Sequence, residues 1–135
     1  MTEFDEDLKT ILDANWNTSV IDKPKIYLTR EARMIDLQYG NFIVIEPTRR
    51  EDEFFGIGAV EYIVRARCSL MIRTGTSVDD ANKMLSVVHG ILRDKSNWSS
   101  WQNVRVSSLE SLMEREKKIY SYVLEVEGIK FESIS

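Results

Sequence analysis

The chain has 135 residues, 43% of them hydrophobic and 30% charged, with a net charge of −4 and one cysteine. This length suits a single domain that buries its own core, and the acidic balance disfavours a protein that coats nucleic-acid duplexes, which needs clustered Lys and Arg. One cysteine excludes an internal disulfide or a multi-thiolate zinc site and is compatible with a reducing cytosol. The acidic start MTEFDEDLKTILDANW lacks the regions of a signal peptide, and no apolar run approaches the roughly 20 residues of a membrane span. A soluble protein that stays where it is made is expected.

Phe4, Leu8, Ile11 and Leu12, followed by Trp16, fall at helical spacing and predict an amphipathic helix from residue 3 to about 15. Asp5, Glu6 and Asp7 suit the positive end of its dipole. NTSVIDKP reads as a loop leading into a short strand, KIYLTRE, and a second strand, NFIVIE, follows Gly40. The polar stretch from Pro47 to Gly58, PTRREDEFFGIG, reads as an extended hairpin loop. In that loop one of Phe54 and Phe55 would anchor the hairpin. The other would be exposed for a neighbour, beside Arg49 and Arg50.

The third strand carries the clearest pattern: Val60, Tyr62, Val64, Ala66, Cys68, Leu70 and Ile72 alternate with Glu61, Ile63, Arg65, Arg67, Ser69, Met71 and Arg73. One face is apolar and the other mixed and basic. At about 3.3 Å per residue the strand spans roughly 45 Å, so part of it is expected to project or to bend at a bulge. Ser77 with Asp80 forms a capping box that starts a second helix at Val78, whose apolar side is Val78, Ala81, Met84, Leu85, Val88 and Leu92. SNWSSWQN breaks that helix. VRVSSLESLM and KKIYSYVLEVEGIKFES then read as two closing antiparallel strands, so the order is α-β-β-β-α-β-β, an α+β domain with a mostly antiparallel sheet flanked by two helices.

Candidates for chemistry are few. His89, the only histidine, lies with Asn82, Ser86 and Arg93 on the polar side of its helix. Cys68 falls on the apolar side of its strand, as an inert buried thiol does. Asp5 with Asp7 and Asp79 with Asp80 sit at helix starts, where capping accounts for them. The glycines fit no phosphate-binding loop. No catalytic, cofactor or metal residue is assigned, and a non-enzymatic protein is expected. Trp98 and Trp101, spaced W-S-S-W, either anchor an interface or close off the core at the sheet's edge.

The N-terminal helix, the strand pair with a charged connection, the long strand turning into a helix in ARCSLMIRTGTSVDDANKMLSVVHGIL and the closing YSYVLEVEGIKFES together resemble the tail terminator (tail-completion, head-to-tail joining) proteins of long-tailed bacteriophages. The similarity covers nearly the whole chain and is one of element order, size and character, with no short diagnostic motif. It implies a structural virion protein at the tail–neck junction, assembled in the host cytoplasm. Such a protein forms a ring, usually a hexamer, that caps the tail tube, stops its polymerisation and meets the neck or head-completion protein. No cofactor, membrane or specific nucleic-acid partner is implied, although DNA could pass through the ring.

A ring needs two unlike complementary surfaces on each subunit. Arg65, Arg67 and Arg73 on the mixed face of the third strand are one candidate surface. Their acidic complement on a neighbour would be Glu125 and Glu127 of the last strand or the Asp5–Asp7 cluster. Alternatively the arginines simply solvate the open face of the sheet. A different class of function for the same face is a module that binds protein or single-stranded nucleic acid through Tyr27, Tyr62 or Tyr120 and the arginines.

Overall fold

The computed structural model of the chain describes residues 3–29, 40–54 and 60–133. Phe55 and the rest of the connection to Ala59 lie outside the described residues, so the expectation placed on that second phenylalanine is not addressed. The elements follow the expected order: α1 (Phe4–Asn15), β1 (Lys25–Leu28), β2 (Asn41–Phe54), β3 (Glu61–Thr74), α2 (Val78–Arg93), β4 (Gln102–Glu114) and β5 (Ile119–Ser133), with a 3-10 turn at Lys95–Asn97. The result is an α+β fold with one five-stranded open sheet in the order β1-β2-β3-β5-β4. Only the β1–β2 pairing is parallel.

Helix α1 buries Phe4, Leu8 and Leu12, the stripe expected from their spacing. Trp16 extends the stripe, and its indole Nε1 donates to the Ile21 carbonyl at 3.0 Å, so the chain turns tightly after the helix. In α2 the Ser77 hydroxyl accepts from the Asp80 N–H at 3.1 Å, the N-cap half of the expected box, while the Asp80 carboxylate accepts from the Thr76 hydroxyl rather than from Ser77. The buried stripe of α2 is Ala81, Met84, Val87, Val88, Ile91 and Leu92. It is therefore centred nearer to Val87 and Ile91 than the expected stripe, and Val78 and Leu85 lie half-buried at its margin. α1 lies over β1 to β3 and α2 over β3 to β5. Against them the sheet presents Ile26, Leu28, Ile43, Ile45, Val64, Ala66, Cys68, Leu70, Ile72, Leu124 and Val126.

The third strand alternates as expected, with even-numbered Val64 to Ile72 buried and Arg65 exposed on the other face. It begins at Glu61, and Val60 is exposed before it. Its length is matched by its neighbours, because β3 pairs with β2 from Tyr62 to Thr74 on one side and with β5 from Glu61 to Thr74 on the other. The three strands thus end side by side at Phe54, Tyr62 and Glu132.

The hairpin loop expected from Pro47 onward is corrected: residues 47 to 54 continue β2 as a strand. Polarity pointed to a loop, but the charges pair along β2 itself, with Glu3 and with Arg65 of β3, and pairing with β3 overrides local propensity. Pro47 fits because, among the described residues, β1 covers only Phe42 to Ile45, so that from Pro47 onward β2 has no strand pairing with its outer side. A bulge between Pro47 and Arg49 accompanies the change.

The two tryptophans belong to the core. Trp101 is 4% exposed, its ring centroid lies 4.6 Å from that of Phe4, and its Nε1 donates to Asp7 Oδ2 at 2.7 Å. Trp98 is half-buried against the same Phe4, at 6.1 Å, and donates to the Leu92 carbonyl at 3.3 Å. Gly128 of β5 makes room for this cluster: a Cβ there would stand 3.1 Å from two atoms of the Phe4 ring. Of the two readings of the W-S-S-W pair, closing the core is the one the packing supports, and Trp101 is withdrawn as an interface anchor.

Candidate assembly interface

The open face of the sheet carries the arginines singled out in the sequence. Cross-strand register explains their surroundings. Arg67 lies opposite Glu127 on β5, and its Nη2 donates to Glu127 Oε2 at 2.9 Å while its Nε stands 3.6 Å from Glu125 Oε2. Arg105 of β4 reaches the same carboxylate from the other side, donating from Nε to Glu127 Oε1 at 2.5 Å. Both guanidinium groups hold the Glu127 carboxyl below its ordinary value of 4.5, Arg105 first and Arg67 second. Arg65 reaches Glu53 on β2 at 3.4 Å, and Arg49 pairs with Glu51 two residues along its own strand.

Arg73 behaves differently. It donates to Ser121 Oγ at 3.1 Å, and its guanidinium carbon lies 5.9 Å from the ring centroid of Phe42, which is buried on this face. On the helix side of β2, Arg50 donates to both Glu3 oxygens, at 2.9 and 3.0 Å, and to Asp52 at 3.1 Å. The bond to Asp52, ahead of the one to Glu3, raises its already high pKa.

The complement expected from a neighbouring subunit is therefore corrected. Glu125 and Glu127 face Arg67 within the same sheet. The acidic cluster of α1 is turned inward or engaged as well, with Asp5 only 2% exposed and Asp7 accepting from Trp101. Exposed pairs of this kind contribute about 0 to 1 kcal/mol each. Their main effect is to fix side-chain positions and to cancel the basic character of the face.

Between β2, β3, β5 and the start of β4 the ladder lines an open concavity of about 650 Å³, which includes Arg49, Glu51, Arg65, Arg67, Arg105 and Glu127. Arg105 is the member that the sequence reading missed. Its signal was present in the alternating VRV of β4, but the partner carboxylate becomes visible only in the register of β4 on β5. Cys68 is buried on the opposite face, and burial, then Asp5 and Glu125, push its thiol up to about 12, so it stays protonated and unreactive. His89 is half-buried on α2, with its pKa lowered by burial and then by Arg93. Among the described residues no group of His, Cys, Asp and Glu could hold a metal ion, and no helix is long and apolar enough to cross a membrane.

Among the described residues, two sheet edges and the shared end of β2, β3 and β5 have no further strand paired with them. The outer edge of β2 from Pro47 to Phe54 has no strand beside it among the described residues, and β4 is the last strand on the other side. At the end of β2 Phe54 is 59% exposed and stacks on Tyr62 at 4.9 Å, and Phe131 is 48% exposed on the other face. Val60 precedes β3 there, and Leu109 and Leu112 are exposed along β4. No protein-family model matches the chain, and no curated protein matches its sequence.

Proposed function

We propose that this chain is a non-enzymatic structural protein that assembles with copies of itself into a ring, and that the ring caps a bacteriophage tail tube and joins it to the neck. The observation that carries the proposal is the shared end of β2, β3 and β5, where Phe54 and Phe131 are exposed, together with two sheet edges that no strand covers among the described residues. A monomer gains nothing from exposing Phe54 and Phe131 on a long strand pair, whereas an assembling subunit covers them. The resemblance to tail terminators in element order supplies the biological setting. The partners are then the chain itself, a tail-tube protein and a neck or head-completion protein, and the location is the tail–neck junction of the virion.

The pairing of arginines with carboxylates weighs against the alternative, a sheet that binds single-stranded nucleic acid. Such a face needs free cations beside stacking aromatics, and here Arg49, Arg65, Arg67 and Arg105 each contact a carboxylate of the same chain. Light scattering and electron microscopy of the purified chain, alone and mixed with tail tubes, test the proposal, with a nucleic-acid shift assay at low salt beside them. Rings that cap tubes, without a shift, are expected. A monomer that ignores tubes but binds nucleic acid in a strongly salt-dependent way refutes the proposal and establishes the binding module.

A further inference from the structure

We infer that neighbouring copies join edge to edge, with β4 of one subunit pairing antiparallel to the Pro47–Phe54 half of β2 in the next, so that one sheet runs on from subunit to subunit. The inference rests on the assembly reading above and names the surface that reading leaves open.

Strand direction is the first support. β2, β3, β5 and β4 alternate in direction across the sheet, so β4 runs opposite to β2. When a second copy is set beside β4 in the same orientation, its β2 meets β4 antiparallel, and the alternation continues without a break. The contact is head to tail, the type from which rings are built. Among the described residues β1 shields β2 only as far as Ile45, which leaves an edge about 25 Å long at about 3.3 Å per residue.

Charge supplies the register. A pairing shift of one residue would turn each side chain to the wrong face, so only shifts by two need comparison. On the open face β2 offers Arg49, Glu51 and Glu53, and β4 offers Arg105, Ser108, Glu110 and Leu112, as their partners on β3 and β5 show. With Arg49 opposite Glu110, Glu51 falls opposite Ser108 and Leu112 opposite Pro47; the pairing ends there, and Met113 and Glu114 have to leave the edge, because Leu28 of β1 and Thr29 hold the strip beside Ile45. The β4 irregularity between Val106 and Ser108 falls at Asp52, and Glu53 meets Arg105. Two opposite-charge pairs form and no like-charge pair does. On the helix side the same register lays the stem of Arg50 over the exposed Leu109 and brings Phe54 beside Val104. Sliding two residues one way sets Glu51 against Glu110. Sliding two the other way leaves a single opposite-charge pair and puts Asp52 against Val104. Five consecutive charges from Arg49 to Glu53 keep an edge from joining neutral strands at random, and here they also select one partner strand.

Disulfide trapping tests the inference. Directly opposed residues have Cβ atoms about 4.5–5.5 Å apart, close to disulfide reach, and Cys68 is buried and stays silent. The variant carrying both Glu51→Cys and Ser108→Cys, oxidised at the highest attainable protein concentration, is expected to give a ladder of disulfide-linked multimers, and each single substitution is expected to give none. In the double-cysteine background, Arg49→Glu or Glu110→Arg alone should lower the yield about fivefold, through loss of an exposed pair and gain of a like-charge one. Both together should restore it. Oligomers seen by light scattering without a 51–108 link overturn the edge contact and leave the assembly reading standing. A dimer linked through either single cysteine shows a two-fold contact and also overturns it. Monomers by scattering with no link at any concentration overturn both.

Discussion

Trp101 separates a core residue from an interface residue. Replacing it with Ala removes a side chain that is 4% exposed, stacked at 4.6 Å on Phe4 and crossed by the Lys130 ammonium 4.9 Å from its ring centroid. Burial alone sets the cost of truncating such a residue at about 3 to 5 kcal/mol. The aromatic pair, the cation over the ring and the indole bond to Asp7 belong to that total and are not added to it. With an unfolding entropy of about 2.1 cal/mol/K per residue over a chain of 135 residues, 1 kcal/mol lowers Tm by roughly 3.5 °C. The Ala variant should therefore melt about 10 to 18 °C below the parent. Trp101→Phe keeps most of the apolar area but removes the 2.7 Å bond to a carboxylate, so about 1.5 to 3 kcal/mol and 5 to 10 °C are expected. Thermal unfolding followed by circular dichroism, on monomeric protein, reads both. If both variants melt within a degree or two of the parent while self-association is lost, Trp101 is an interface anchor and its place in the core is wrong.

Val64→Ala, at a fully buried strand position, should cost about 2 kcal/mol or more, whereas Leu85→Ala, at the half-buried margin of α2, should cost distinctly less; equal costs in urea unfolding would move the apolar stripe of α2 back towards Leu85. Ser77→Ala should cost about 1 kcal/mol through loss of the bond to the Asp80 N–H, and an unchanged melting temperature would place the start of α2 elsewhere. The folded pKa of Glu127 is depressed, so its pairing contributes full stability above its ordinary value of 4.5 and loses it as pH falls through the lowered folded value. Glu127→Gln should therefore differ from the parent by about 0.2 to 1 kcal/mol less at pH 3 than at pH 7, and a difference independent of pH would mean the carboxylate has no charged partner there.

Much of the architecture was legible in the order of residues, because it rests on periodicity. Phe4, Leu8 and Leu12 recur at the spacing of a helix face, Val64 to Ile72 alternate with the period of a strand, and Ser77 with Asp80 is a local capping signal read without knowledge of the fold. Those features depend on neighbours a few residues apart, and each took its expected place.

What failed depended on partners far along the chain. The charged run after Pro47 looks like a loop to any local rule, and it is a strand because β3 lies beside it and supplies both the ladder and, through Arg65, a counter-charge for Glu53. Trp101 could sit at a surface or in the core until α1, 94 residues away, brought Phe4 and Asp7 against it. The arginines of β3 invited a neighbour's acids, and register gave them Glu125 and Glu127 of their own sheet. Composition and period thus determined which elements form and which faces are apolar, since those are properties of short segments. Which charges are already neutralised, and which edges are left for another chain, only the tertiary structure decided, because a charge is satisfied or a strand edge closed by whatever the fold brings within a few ångströms of it.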